Sequence, residues 1–116
     1  MLFRSWFTPA FRAANAKRVA GFRDTVLRTG AAGYLASARA VAGVDWLDRL
    51  ASITCPTLVI AGGADTSTPL AMAQAIAERI ADAELVVLPD AAHLSVTEQP
   101  VLFEQHLRRF LAGLPA

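Results

Sequence analysis

Two short segments hold the residues best suited to catalysis. Gly62-Gly63-Ala64-Asp65-Thr66-Ser67-Thr68-Pro69 carries a carboxylate, and Pro89-Asp90-Ala91-Ala92-His93-Leu94-Ser95 carries an imidazole. A carboxylate bound to one histidine nitrogen fixes the ring's tautomer. It also stabilises the imidazolium that forms when the other nitrogen takes a proton. Such a pair activates a hydroxyl for attack on an acyl carbon. Taken singly, neither residue is specific. Asp65 would suit the cap of a helix starting near Pro69, although Thr66, Ser67 or Thr68 would serve equally well. Asp90 is a competing carboxylate and reads as part of the turn after Pro89. His106, beside Glu104 and Gln105, reads as a surface residue of the last helix. The serines are Ser5, Ser37, Ser52, Ser67 and Ser95, and none lies in Gly-x-Ser-x-Gly, the strained strand-to-helix turn that presents a nucleophile. Ser95 is too near His93 in sequence to be its attacking partner and reads as a turn or helix-start residue.

The elements around these segments follow from hydrophobic periodicity. Thr57-Leu58-Val59-Ile60-Ala61, after Pro56, is a continuous apolar run that predicts a strand buried on both faces. Gly62-Gly63 stop it. A helix is predicted over 69–81, with Met72, Ile76 and Ile80 four apart. A second buried strand is predicted over 84–88, stopped by Pro89, and a last helix over 97–111 that buries Leu102, Phe103, Leu107, Phe110 and Leu111. Strand, helix, strand, helix implies parallel strands joined by a right-handed crossover. Function then collects at the strands' carboxyl ends, where the Asp65 and His93 loops would lie side by side. Upstream, helices are predicted over 9–28 and 34–41, with a short helical turn over 45–50 placing Trp46, Leu47 and Leu50 on one face.

Composition narrows the function. Hydrophobic residues make up 54% of the 116 residues, above the usual share of about 45–50%. Two strands alone are marginal, so the strand unit calls for more sheet than this sequence supplies. Net charge is +1, which argues against a nucleic-acid binder. Residues 1–49 hold eight Lys/Arg and three Asp/Glu, a net of +5, and residues 50–116 hold three and seven, a net of −4. The basic half is almost all arginine, which pairs carboxylates in a bidentate way. An anionic small molecule would suit it, as would a plain solvated helix face. The single cysteine, Cys55, gives no disulfide and no zinc cluster and reads as a buried structural thiol. No apolar stretch reaches the ~20 residues of a membrane span. Residues 1–23 have the arginines and lack the acids of a transit peptide, but they are not Ser-rich and run on into a helical pattern.

The string Pro56-Thr-Leu-Val-Ile-Ala-Gly62-x-x-Asp65-x-x-Thr68-Pro69 resembles the acid-bearing strand of the α/β-hydrolases. Ala92-His93-Leu94-Ser95, followed by Glu98-Gln99-Pro100 and an aromatic-containing helix, resembles their histidine loop and final helix. More narrowly, Arg4-x-Trp6-Phe7-Thr8-Pro9-x-Phe11, then Gly33-Tyr34 and an alanine-rich helix, is similar to the lid of 3-oxoadipate enol-lactonases. The resemblance implies an α/β fold: a helical lid over 1–45 and the C-terminal part of a hydrolase core over 46–116, with an incomplete sheet. It implies Asp65 as triad acid and His93 as general base. It also implies cytoplasmic hydrolysis of a small ester or lactone in aromatic catabolism, with no cofactor, no metal, no membrane and no nucleic acid. The family orders its triad serine, acid, histidine, so the nucleophile half would lie upstream. Trp6, Phe7, Phe11 and Tyr34 would line the substrate pocket or simply pack the lid, and Leu94 would flank the substrate. Two other readings stay open: a different α/β-hydrolase (esterase, haloperoxidase-like or dehalogenase), and a non-catalytic module that self-associates through an exposed sheet edge.

Overall fold

The structure, a computed structural model, describes residues 5–115. Arg4 of the lid string lies outside them. The two apolar runs form strands β1 (Thr57–Gly62) and β2 (Ala83–Leu88), joined by helix α4 (Leu70–Ala77). They pair in parallel, from Thr57 opposite Ala83 to Gly62 opposite Leu88. Helix α4 packs on both strands, as a crossover between parallel neighbours must. Both strands therefore end at the same edge. The Asp65 loop leaves the end of β1 and the His93 loop leaves the end of β2, side by side at that edge.

Val86, Leu88 and Ala91 form the core, with Leu58 and Ile60 of β1 and Leu102 and Phe103 packed against them. The last two belong to helix α6 (Pro100–Ala112). The expected burial on both strand faces is not met. Every β1 residue before Gly62 is half-buried, and Val87 is 37% exposed. Among the described residues the sheet has two strands, and two strands cannot shield both of their own faces. Leu107 and Leu111 of α6, also expected to be buried, are exposed.

The predicted 97–111 helix is two helices, α5 (Ser95–Glu98) and α6. Gln99 between them has φ −129° and ψ 62°, outside the helical region. Pro100 explains this, because a proline ring disfavours helical geometry in the residue before it. Cys55 is exposed, contrary to the expected buried thiol. It precedes Pro56 in irregular chain, before β1 begins to bury side chains.

The N-terminal half is helical, as its periodicity predicts, but broken. Helices α1 (Pro9–Ala14) and α2 (Ala16–Arg28) replace one continuous helix. Asn15 interrupts them at φ −127°, and its side-chain amide donates to the Phe11 carbonyl at 3.2 Å. Asparagine favours such breaks because its side chain competes for backbone groups. Helix α3 (Ala31–Ala42) starts earlier than predicted and is exposed along its length. The expected turn over 45–50 is a 3-10 helix, Leu47–Ser52. No helix among the described residues is long and apolar enough to cross a membrane.

Candidate active site

Asp65 sits three residues past the end of β1 and is fixed from several sides. Its Oδ1 accepts the backbone N–H groups of Ser67 at 2.7 Å and Thr68 at 3.1 Å. Its Oδ2 accepts the Thr68 hydroxyl at 2.6 Å. Helix α4 takes Pro69 as its cap with no side-chain cap bond, so Asp65 shapes the loop rather than capping the helix. Burial raises the Asp65 carboxyl. The Thr68 hydroxyl, the His93 ring and the two backbone N–H groups outweigh that and hold it below its ordinary value of 3.8. Asp65 is therefore an anion at neutral pH.

The Nδ1 atom of His93 lies 2.9 Å from Asp65 Oδ2. An ionised carboxylate only accepts, so the ring proton sits on Nδ1 and donates to it. The Thr68 hydroxyl is also 3.2 Å from Nδ1, which closes a three-residue cluster. Nε2 is left as the nitrogen able to take a proton. The Asp65 side chain is 7% exposed and that of His93 36%, so the carboxylate is shielded while the imidazole stays reachable. Asp90 is exposed in the turn after Pro89.

Close backbone contact sets this geometry. A Cβ at Gly62 would lie 2.3 Å from the Ala92 carbonyl oxygen and 2.5 Å from that of Ala91, so only glycine lets the loops approach this nearly. The Ala64 N–H donates to the Ala91 carbonyl at 2.9 Å. The loops are thus joined two residues before His93 and one before Asp65.

Asp65, Thr68 and His93 open onto a hollow of about 340 Å³, walled by Ile60, Met72 and Ile76 among others. A larger hollow of about 620 Å³ beside Trp46 and Arg49 has no histidine in its wall. The expected pocket residues are scattered. Phe7 is 2% exposed, its ring stacked on Phe11 and edge-on to Phe22. Trp6 is half-buried, and its carbonyl accepts the Leu94 N–H at 3.0 Å. Leu94, half-buried, directly follows His93. Tyr34 borders a separate open hollow with Val26 and Leu35.

Two residues gain importance from the structure. Thr68 bonds both members of the pair. Its signal was the hydroxyl three residues after Asp65, a spacing that favours a side-chain-closed turn. Glu98 reaches across to Ala92 and Thr8, a long-range contact that no local spacing announces.

The chain matches the model of the alpha/beta hydrolase family over residues 2–106. It is 35% identical over 109 residues to 3-oxoadipate enol-lactonase 1 of Acinetobacter baylyi, covering 94% of this chain and 41% of that protein. Its structure resembles the enol-lactonase from Burkholderia xenovorans LB400 with TM-score 0.91 at 30% identity, over 96% of this chain and 42% of the other. It also resembles an esterase from Thermogutta terrifontis with TM-score 0.86 at 30% identity, over 95% and 41%. The chain thus spans about two-fifths of the length of these relatives.

Proposed function

The chain belongs to the alpha/beta hydrolase family, and from that premise we propose that it carries the acid and the base of a serine-type carboxylic ester hydrolase. The reading that fits best is the 3-oxoadipate enol-lactonase type. The observation that carries it is the 2.9 Å bond from His93 Nδ1 to an ionised, shielded Asp65.

In this reading a serine hydroxyl gives its proton to His93 Nε2 as its oxygen attacks the lactone carbonyl. Asp65 stabilises the imidazolium. The proton then passes to the departing ring oxygen, and water activated by the same nitrogen releases the acyl group. No cofactor or metal is needed. Residues 1–45 would act as a lid, with their arginines suited to a substrate carboxylate. Trp6, Phe7, Tyr34 and Leu94 are the proposed lining residues, and a cytoplasmic setting suits small-molecule catabolism.

The 116 residues contain no Gly-x-Ser-x-Gly, so the reading requires the serine to come from sequence outside them. The 116-residue chain alone is then inactive by this mechanism. The test is to read the DNA upstream of the Met1 codon and assay the extended chain on lactones and activated esters. The expected result is an in-frame Gly-x-Ser-x-Gly and lactone turnover abolished by His93→Ala. Turnover by the 116-residue chain alone at rates near those of complete hydrolases, lost on His93→Ala, would overturn the reading. Simple ester hydrolysis is a second reading, favoured by the esterase likeness. A higher kcat/KM on esters than on lactones would select it.

A further inference from the structure

The segment Ser5–Thr8 lies across both candidate catalytic loops. The Ser5 and Ser67 hydroxyl oxygens are 2.7 Å apart, and the Ser67 N–H donates to Asp65 Oδ1. The Trp6 carbonyl accepts the N–H of Leu94, the residue after His93, at 3.0 Å. Glu98 makes the third link. Its Oε1 accepts the Thr8 N–H at 2.7 Å and the Thr8 hydroxyl at 2.8 Å. Its Oε2 accepts the N–H of Ala92, the residue before His93, at 2.5 Å. Both residues flanking His93 are thus held by backbone bonds that depend on this segment or on the carboxylate that grips it. Phe7, 2% exposed, anchors the strap between these links.

We propose that Glu98 is a positioning residue: its carboxylate clamps the Ser5–Thr8 strap to the histidine loop, so that His93 meets Asp65 only while the strap is docked. One oxygen serves the strap and the other serves the loop, and each bond is charge-assisted. The strap leads directly into α1 through Thr8, whose hydroxyl also accepts the Phe11 N–H at 3.2 Å. Movement of the N-terminal helices therefore reaches the Asp65–His93 pair through Glu98 as well as through the Ser5–Ser67 and Trp6–Leu94 links. This inference rests on Asp65 and His93 being the working pair, but its test needs no turnover.

The experiment uses the full 116-residue chain, with amide hydrogen exchange and the proton spectrum of the His93 ring. The variant Glu98→Gln is informative because the amide keeps one acceptor oxygen and replaces the other with a donor. The expected result is that Ala92 N–H exchanges at least about tenfold faster while Thr8 N–H stays protected. The hydrogen-bonded Nδ1 proton of His93 should broaden or vanish. Lowered thermal stability with Ala92 exchange and the Nδ1 proton unchanged would overturn the proposal. If Glu98→Gln does not fold, exchange in the unaltered chain decides. Ala92 and Thr8 amides should then open together, and Ala92 exchanging more than about a hundredfold faster would overturn it. A failed lactonase reading would show as an inactive extended enzyme with these exchange results intact.

Discussion

Replacing Gly62 by alanine is expected to pull the acid–base pair apart. The new Cβ would meet the Ala92 oxygen at 2.3 Å, the Ala91 oxygen at 2.5 Å and the Ala91 carbonyl carbon at 2.9 Å. All three are backbone atoms, so no side chain can rotate aside. Ordinary contact begins at 3.4 Å, so the 91–92 backbone must retreat by about 1.1 Å (3.4 minus 2.3). His93 follows Ala92 directly. Along the axis of the pair, that retreat would stretch the 2.9 Å bond to about 4.0 Å, beyond hydrogen-bond range. The Ala64–Ala91 loop bond is exposed to the same shift. Overpacking of this kind costs about 1–3 kcal/mol, and a lost hydrogen bond adds about 1. A total near 3 kcal/mol lowers the unfolding midpoint by roughly 12 °C, at about 4 °C per kcal/mol for a chain of this size. Thermal melts followed by circular dichroism give the midpoint, and the Nδ1 proton resonance of His93 reports the pair. Gly21→Ala is the control, because a Cβ there meets nothing within 4 Å. Inside α2 it should add about 0.5–1 kcal/mol of stability. The reasoning fails if Gly62→Ala melts within about 2 °C of the unaltered chain and keeps the Nδ1 resonance.

Other outcomes follow from the same geometry. The folded-state pKa of Asp65 is depressed, so its bonds contribute fully above the ordinary value of 3.8 and are lost as pH falls through the lower folded value. Melting midpoints of the unaltered chain and Asp65→Asn should therefore differ at neutral pH and converge in strong acid; a gap that persists at low pH would count against the assignment. Thr68→Val removes the 2.6 Å donor to Asp65, so the Asp65 carboxyl should titrate higher by carbon NMR, with about 1 kcal/mol of stability lost in denaturant melts. Phe7→Ala empties a site that is 2% exposed and should cost about 3–5 kcal/mol, measured by urea denaturation; a loss under about 1 kcal/mol would mean that Phe7 does not anchor the strap. In an extended enzyme with its serine, Asp65→Asn should reduce kcat on the order of 10⁴-fold, by favouring the wrong tautomer, with KM little changed in steady-state assays.

The parallel strands, their crossover helix and the two loops that carry Asp65 and His93 were legible from residues 56–95 alone. Their signals are local: apolar runs of strand length, glycines and a proline that end them, and a helical period between. Local chemistry also explains where boundaries slipped. Pro100 breaks the last helix at Gln99, and Asn15 breaks the first, through rules that act on single residues. The exposure of Cys55 and Val87 could not be read that way, because burial depends on which elements cover a position. Two strands leave their own faces partly open.

Residue types and spacing determined that an acid and a histidine would follow consecutive parallel strands. They did not determine that Nδ1 would stand 2.9 Å from Oδ2. That distance depends on Gly62 letting backbone meet backbone, on Thr68 closing the acid loop, and on Glu98 reaching Thr8, 90 positions away. Period and propensity describe neighbours along the chain. A hydrogen bond across the fold is set only when the packed elements bring its two ends together.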